Sequence, residues 1–469
     1  MGSIREPLDV KNIAIIGAGP TGLAAAKFLL AEKAFDKIDI FEQQSEVGGI
    51  WNYTPSISDS VPVPQTSPHV PLDKPIWPKN GIVPIFSTPM YDQLNTNNIR
   101  DLMGFSDLSF PPNTLLFPAR QDVQKYVVEY SQDIRHLISF SAQVQDVRLV
   151  PENDRDRWQV LSKSTITNDE ASKIYDAVVV ASGHYGVPFI PLVPGIEAFH
   201  AAYPEIITHS KIYRAPRSFA GKKVIVVGNS ASGLDIGAQI SNVCKNPLLN
   251  SIRSPARLKV GQDNREEVSP IAEYLIEERA VKFEDGRIEK NIDAIVYCTG
   301  YLYSYPFLES MSPPVVTTGR RVIGLYQQLF DFRHPTLAFT ALSQKIIPFP
   351  VAEGQAAAIA KVWAGKLKLP SRDEMELWEK RRVEERGDGT SFHVLVFPED
   401  AEYLNGLHDW VKTAEGGFSK EPAFWGAKNM RIREGYVEVR KKFVEGGSVA
   451  TTYEELGFDF DKVNAQSPL

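Results

Sequence analysis

Asn12-Ile13-Ala14-Ile15-Ile16 runs into the turn Gly17-Ala18-Gly19-Pro20-Thr21-Gly22. Lys223-Val224-Ile225-Val226-Val227 runs in the same way into Gly228-Asn229-Ser230-Ala231-Ser232-Gly233. Each run reads as a buried strand closing on a glycine turn that opens a helix, and this is the start of a βαβ nucleotide fold. Leu23 to Leu30 supplies the first helix and Leu234 to Ile240 the second. The glycines let the backbone approach a pyrophosphate, whose charge then sits at a helix N-terminus. Ser230 stands where the second turn would carry its middle glycine. Twenty residues after Gly22, at the end of the strand Ile38-Asp39-Ile40-Phe41, stands Glu42; twenty after Gly233 stands Arg253, followed by Ser254. A carboxylate at that position accepts hydrogen bonds from ribose hydroxyls, whereas an arginine suits a 2′-phosphate. The two units together call for one dinucleotide with a free ribose and one phosphorylated, and FAD with NADPH fits that pair.

The rest of the composition is that of an ordinary globular protein and agrees with an enzyme. The chain has 469 residues, 43% hydrophobic and 23% charged, with a formal net charge of -7. That length suggests two or three domains. The negative charge and the lack of a basic run argue against nucleic acid as a partner. No apolar stretch reaches membrane-spanning length, and the N-terminus lacks a signal peptide's apolar core. Glu6 stands where N-myristoylation wants Ser or Thr. A cytoplasmic protein is expected. Cys244 and Cys298 are far apart in sequence and make no Cys-x-x-Cys, which removes the flavin-disulfide reductases. No Ser-His-Asp, Cys-His or metal-ligand pattern stands out.

The order of the motifs predicts an α/β fold of two Rossmann-like domains, the second inserted into the first. An FAD domain is expected over residues 1–194 and again over 313–469, with an NADPH domain over 195–312. Asp176 to Gly183 marks the entry and Asp293 to Tyr301 the exit. Nine prolines between Pro55 and Pro89 make the stretch 54–89 a loop or cover. Gly354 to Trp363 reads as a helix, and Arg372 to Arg386 as a charged helix with a solvated face. Beyond residue 390 no site is recognisable.

Three further segments carry a resemblance. Phe41 to Trp51 (FEQQSEVGGIW), Tyr91 to Pro111 (YDQLNTNNIRDLMGFSDLSFP) and Asp293 to Leu308 (DAIVYCTGYLYSYPFL) are similar to segments of the flavin-containing monooxygenases, in particular the soluble fungal and yeast-like branch. The family fingerprint Phe-x-Gly-x-x-x-His-x-x-x-Tyr/Phe is matched in its second half by His209 and Tyr213. Tyr203 and Glu205 stand where Phe and Gly belong, and Phe199 comes four residues early, as a short insertion would produce. The Baeyer-Villiger branch ends this fingerprint with Trp, and Tyr213 departs from it.

The resemblance implies roles for single residues. Gly49, Ile50 and Trp51 would form a turn against the flavin nucleotide. Thr96 and Asn97 would lie at the flavin edge, with the Asn97 amide bonding flavin and nicotinamide. The Val144 backbone would hold adenine, and Gln355, read as the start of an alanine-rich helix, would aim a positive helix end at the flavin. Alternatives stand beside these: Asn97 as a turn former, Trp51 as core, Val144 as a plain strand residue, and His209 as a packing residue rather than an acid-base group. The implied activity is NADPH- and O2-dependent oxygenation of a soft nitrogen or sulfur centre of a small molecule, secondary metabolites included, through a hydroperoxide at the flavin C4a atom. A Baeyer-Villiger reaction on a ketone and a non-catalytic NADPH-binding protein are the competing readings. Oligomeric state is open, a homodimer included.

Overall fold

Strand β1 (Asn12–Ile16) is buried at every position after Asn12 and lies inside a seven-stranded sheet. Its run shows no alternation of apolar with polar residues because both faces of the sheet are covered. Ile13 and Ile15 face a helical layer, while Ala14 and Ile16 face a second layer. Helix α1 (Pro20–Glu32) belongs to the first of these and starts on a proline, whose missing N–H would have found no intrahelical partner there. It leads into β2 (Lys37–Phe41), which pairs parallel with β1; on the other side β1 pairs parallel with β3 (Ala177–Val180). An antiparallel meander of residues 142–175 forms the second layer, with Val147, Trp158, Val160 and Tyr175 against the sheet. The computed structural model describes residues 8–55, 60–79, 81–152, 155–254 and 264–461; Glu6 and its neighbours lie outside them.

The second glycine run builds a second, smaller sheet by the same route. Strand β4 (Val224–Val227) is followed by helix α2 (Ala231–Ser241), and β5 (Leu248–Ser251) and β6 (Ala294–Tyr297) flank β4 in parallel. Arg265–Val268 and Ile207–His209 complete five parallel strands. Two short segments, Val187–Pro188 and Tyr301–Leu302, pair antiparallel where the chain crosses between the sheets. From Tyr303 to Met311 the chain already packs in the core of the first sheet, whereas Ile190 packs in that of the second. The crossings therefore fall near residues 189 and 302 rather than at 194 and 312. The paired linkers, and not the last strand-like sequence, set the exit.

Among its described residues the proline-rich stretch forms no helix and only isolated bridges, Gln65 with Ile190 and Ile76 with Ile85. It lies across both units: Ser304 donates to the Pro68 carbonyl (2.6 Å), and Val61 and Val63 pack on the second core. Helix α3 (Pro348–Trp363) packs on α1 and is buried along nearly its whole length. A buried ion pair locks the two, with Glu32 bonded to Lys361 (2.7 Å) and Lys366 (2.8 Å). The charged helix Arg372–Arg386 falls where its pattern placed it, although Glu379 turns inward to Arg321 (2.7 Å). The residues beyond 390 form helices Glu399–Lys412, Ala427–Glu434 and α4 (Tyr436–Glu445), closing the helical layer of the first sheet. No helix among the described residues is long and apolar enough to cross a membrane.

Candidate functional site

The two glycine turns have nearly the same geometry. Gly17 has φ +104°, and a Cβ there would lie 2.7 Å from the Ala181 carbonyl oxygen; Gly228 has φ +110°, with a Cβ 2.7 Å from the Cys298 carbonyl oxygen. A Cβ on Gly22 would come 2.0 Å from the Gly17 oxygen, and one on Gly233 2.1 Å from the Gly228 oxygen. Only glycine fits at these four positions. Neither α1 nor α2 has a side-chain cap or an acidic residue in its first turn. Their first N–H groups and the positive end of each helix dipole are therefore available to an anion. Cys298 contributes through its backbone, and burial pushes its thiol pKa up to about 12.

Around the first turn the fold adds a carboxylate and a lid of backbone. Glu42 follows β2 and is only 4% exposed; its oxygens accept from the N–H groups of Ala18 (2.8 Å) and Gln44 (2.9 Å). Burial outweighs these bonds and raises its pKa to about 7. The segment Gly48–Trp51 folds over the turn, since Gly48 donates to the Ala18 carbonyl (3.1 Å). A Cβ on Gly19 would meet nothing nearer than the Gly49 Cα at 3.7 Å, so Gly19 and Gly49 face each other across a narrow gap. Pro20 and Thr21 open α1 at this gap. Ile50 and Trp51 stay half-buried, and the Trp51 ring meets Phe349 edge-on at 6.4 Å. Val144 is buried beside the register slip of its strand, two residues after Ala142, whose N–H donates to the Glu42 carbonyl (2.8 Å). A bulge at this point turns backbone groups out of the ladder next to Glu42.

The second turn is more open. Asn229 donates to the Ser254 carbonyl (2.6 Å), which ties the turn to the residues after β5. Asn250 donates to the Val226 and Gly228 carbonyls (3.1 and 3.2 Å). Ser230 is the residue before α2 in extended conformation, and Ser232 lies in the helix's first turn. Arg253 and Ser254 are exposed. Sequence reasoning missed Arg320, whose guanidinium lies 3.6 Å above the Phe189 ring. Burial and the charge of Arg253 both depress its pKa. Among the described residues no carboxylate forms an ion pair with either arginine, so two like charges face the same region.

The segment 91–98 touches both units, with Tyr91 in the second core and Thr96 held by the first. Thr96 is buried, with its N–H donating to the Pro118 carbonyl (2.8 Å) and its carbonyl accepting from Arg440 of α4 (3.2 Å). Asn97, next to it, is exposed. Its amide makes no protein hydrogen bond among the described residues, so both its donor and acceptor groups are available. His209 ends its strand fully buried, with Nδ1 accepting from the Lys211 N–H (3.1 Å) and the ring edge-on to Tyr301. Burial draws its pKa down to about 3, which leaves it neutral. Arg440 had no sequence signal, because its partner stands 344 residues away.

Gln355 needs correction. Helix α3 begins at Pro348, so Gln355 lies in mid-helix; its Oε1 accepts from the Ala341 N–H (2.7 Å) and its Nε2 donates to Tyr403 (3.0 Å). It is a fully buried brace. The helix extends further toward the N-terminus than Gly354 because Pro348 and Pro350 both occupy its first turn, where backbone N–H groups have no helical partner. The helix N-terminus lies instead at Ile347 and Pro348, next to Phe349 and Trp51.

Comparison with known proteins agrees with this geometry. The model of the flavin-binding monooxygenase-like family matches residues 83–262 and 267–413, and that of an NAD(P)-binding Rossmann-like domain matches 15–66. The chain belongs to the flavin-binding monooxygenase-like family. It is 33% identical to flavin-containing monooxygenase FMO GS-OX-like 9 of Arabidopsis thaliana over 78% of each chain. To the thiol-specific monooxygenase of Saccharomyces cerevisiae it is 32% identical, over 77% of this chain and 79% of that one. The solved S-allyl-L-cysteine S-oxygenase of Allium sativum superposes with a TM-score of 0.77 at 27% identity, covering 96% of this chain and 98% of the other. The cofactors of this flavoprotein monooxygenase are FAD and NADPH.

Proposed function

We propose that the protein oxygenates a soft nucleophilic centre of a small molecule, sulfur ahead of nitrogen, at the expense of NADPH and O2. The observation that carries this reading is the exposed Asn97 amide, held on a buttressed loop that is tied to both units, each of which carries a matching glycine turn. The order sulfur before nitrogen rests on relatives named for thiol and S-oxygenation. FAD, when bound, supplies the acceptor for the hydride of NADPH and the centre that activates oxygen.

The chain's own residues would do the rest. The first turn and the free N–H groups of α1 would hold the FAD pyrophosphate, with Glu42 accepting from its ribose. The second turn would hold that of NADPH, with Arg253 and Ser254 at the 2′-phosphate. Asn97 would hydrogen-bond both ring systems and keep them in register. Trp51 and the Val144 backbone would line the flavin nucleotide. No acid, base or nucleophile role is assigned to His209 or the cysteines: burial makes His209 a weak base with Nδ1 already accepting from Lys211, and it raises the pKa of both buried thiols.

The test is NADPH consumption by the purified protein with thiols, sulfides, amines and ketones, the products being identified by mass. An S- or N-oxide is expected. A lactone or ester from a ketone would favour a Baeyer-Villiger enzyme, and no NADPH oxidation with any compound would remove the catalytic reading. Asn97→Ala should keep its FAD and still oxidise NADPH while more hydrogen peroxide and less oxygenated product form. An unchanged ratio would take the role from Asn97.

A further inference from the structure

Tyr91 comes from the first unit's chain but is buried in the core cluster of the second, with Tyr213, Ile236, Val226 and Cys298. Its hydroxyl donates to the Asp235 carboxylate on α2. The same Asp235 oxygen accepts from Gln239 (3.1 Å), and Gln239 accepts from the Tyr213 hydroxyl (3.0 Å), whose ring meets that of Tyr91 at 5.3 Å. Four polar side chains thus form one connected cluster on both sides of the junction between the units. The neighbouring Asp92 N–H donates to the Arg214 carbonyl (2.9 Å), a second tie to the same side.

Three residues further on, the segment belongs to the other unit. Asn95 donates to the Phe117 carbonyl (2.9 Å), the Thr96 N–H to the Pro118 carbonyl, and Arg440 of α4 grips the Thr96 carbonyl. The chain from 91 to 98 is therefore pinned at its start to the second unit and at its end to the first. Asn97 is the exposed residue directly after the pinned Thr96. Asp235 is two residues past Gly233, at the joint where a Cβ would strike the Gly228 carbonyl. Turn and helix are in direct backbone contact there.

We propose that Asp235 is a positioning residue: through Tyr91 it ties the nucleotide-binding helix of the second unit to the Asn97 loop, so that occupancy of the second turn sets where Asn97 stands. This deepens the proposed function and rests on the role given there to Asn97. Burial raises the pKa of the Tyr91 hydroxyl well above its ordinary value, which keeps the proton on the phenol. Burial raises the Asp235 carboxyl, and the bonds from Tyr91 and Gln239 and the charge of Arg440 oppose that rise. A phenol donating to a buried carboxylate is a short, directional link suited to carrying a displacement. No covalent step is involved.

The experiment uses the flavin-loaded full chain and its Tyr91→Phe, Asp235→Asn and doubly substituted forms. Hydrogen exchange is measured with and without NADP+, and peroxide released per NADPH consumed is measured with a substrate of the wild type. In the wild type, NADP+ is expected to protect the amides of 91–98 as well as those of 228–241. In either variant protection should stay at 228–241 and be lost at 91–98, with the peroxide fraction rising at least threefold. The double variant should be no worse than the single ones. Protection of 91–98 that persists in Tyr91→Phe, or effects that multiply in the double variant, would overturn the link. Loss of thermal stability with coupling and protection unchanged would also overturn it, as a merely structural role. Tyr91→Phe keeps the ring stack and decides the matter if Asp235→Asn does not fold. Exchange reads the link even if the wild type oxygenates none of the compounds offered, a result that would remove the functional reading alone.

Discussion

The first glycine turn and the second share a backbone and differ in what surrounds it. At the first, Glu42 is pulled into the protein by the N–H groups of Ala18 and Gln44, and Gly48–Trp51 folds over the top. At the second, Arg253 and Ser254 stand in solvent. A covered site with its polar group already oriented suits a cofactor that stays, because little ordering remains to be done on binding. An open site with an exposed cation suits a cosubstrate that enters and leaves, because electrostatic steering speeds its arrival. On the proposed function, the same fold would serve a resident and a visitor, through burial at one turn and charge at the other.

Breaking each turn alone is the largest test of that contrast. Gly22→Ala and Gly233→Ala place a Cβ on a backbone oxygen at 2.0 and 2.1 Å, and overpacking of this kind costs about 1–3 kcal/mol or more. Gly22→Ala should yield a colourless, less stable protein, because its turn is built into the larger core. Gly233→Ala should stay yellow and lose NADPH-driven flavin reduction. Flavin content by absorbance and the melting temperature check both; loss of flavin from Gly233→Ala would show that the sites are not separable.

Arg253→Ala comes next. A charge-assisted hydrogen bond is worth roughly 1.5–3 kcal/mol, so KM for NADPH should rise about tenfold to over a hundredfold while that for NADH changes little. Steady-state kinetics with both cofactors decide it, and equal losses would mean that Arg253 does not read the 2′-phosphate.

Glu42 sharpens the comparison through pH. Its folded pKa of about 7 lies above the ordinary carboxylate value, so the flavin-free fold binds the extra proton. In the flavin-free protein this contribution is full below the ordinary carboxylate pKa and is lost as pH rises toward 7. Ribose hydroxyls donating to the carboxylate favour its ionised form. FAD affinity should therefore fall below pH 7 by up to about tenfold per pH unit, and in Glu42→Gln this dependence should vanish. Equilibrium titration of the flavin-free protein with FAD between pH 5 and pH 8 measures it. A flat wild-type profile would show that the carboxylate is not at the ribose.

The smallest effect is expected at Arg320. It faces Arg253 from outside the second sheet, stacked on Phe189, and Arg320→Met should raise KM for NADPH about three- to tenfold with NADH nearly unaffected. No selective change would leave Arg253 as the sole reader of the phosphate.

How legible the site was depended on sequence separation. β1 runs over Asn12–Ile16, the residues its pattern marked, and Glu42 follows β2 as expected. Both follow from local rules, a buried strand feeding a glycine turn. The helix holding Gln355 starts at Pro348 rather than near Gly354, since a proline that would break a helix interior is accommodated in its first turn. Arg440, Asp235 and Arg320 carried no local signal of partnership, since each meets its counterpart over a long sequence separation.

By itself the sequence determined that two nucleotide units exist, which carries an acid and which an arginine, and which flavoprotein family the chain resembles. Backbone conformation at a glycine turn depends on a few adjacent residues, so it can be read from them. Only the tertiary structure decided that Glu42 is buried and Arg253 exposed, that the linkers pair near residues 189 and 302, and that a C-terminal helix braces the Asn97 loop. Burial and long-range contact are properties of the whole packed chain. Desolvation, which raises the pKa of Glu42, exists only once the layers have closed around it.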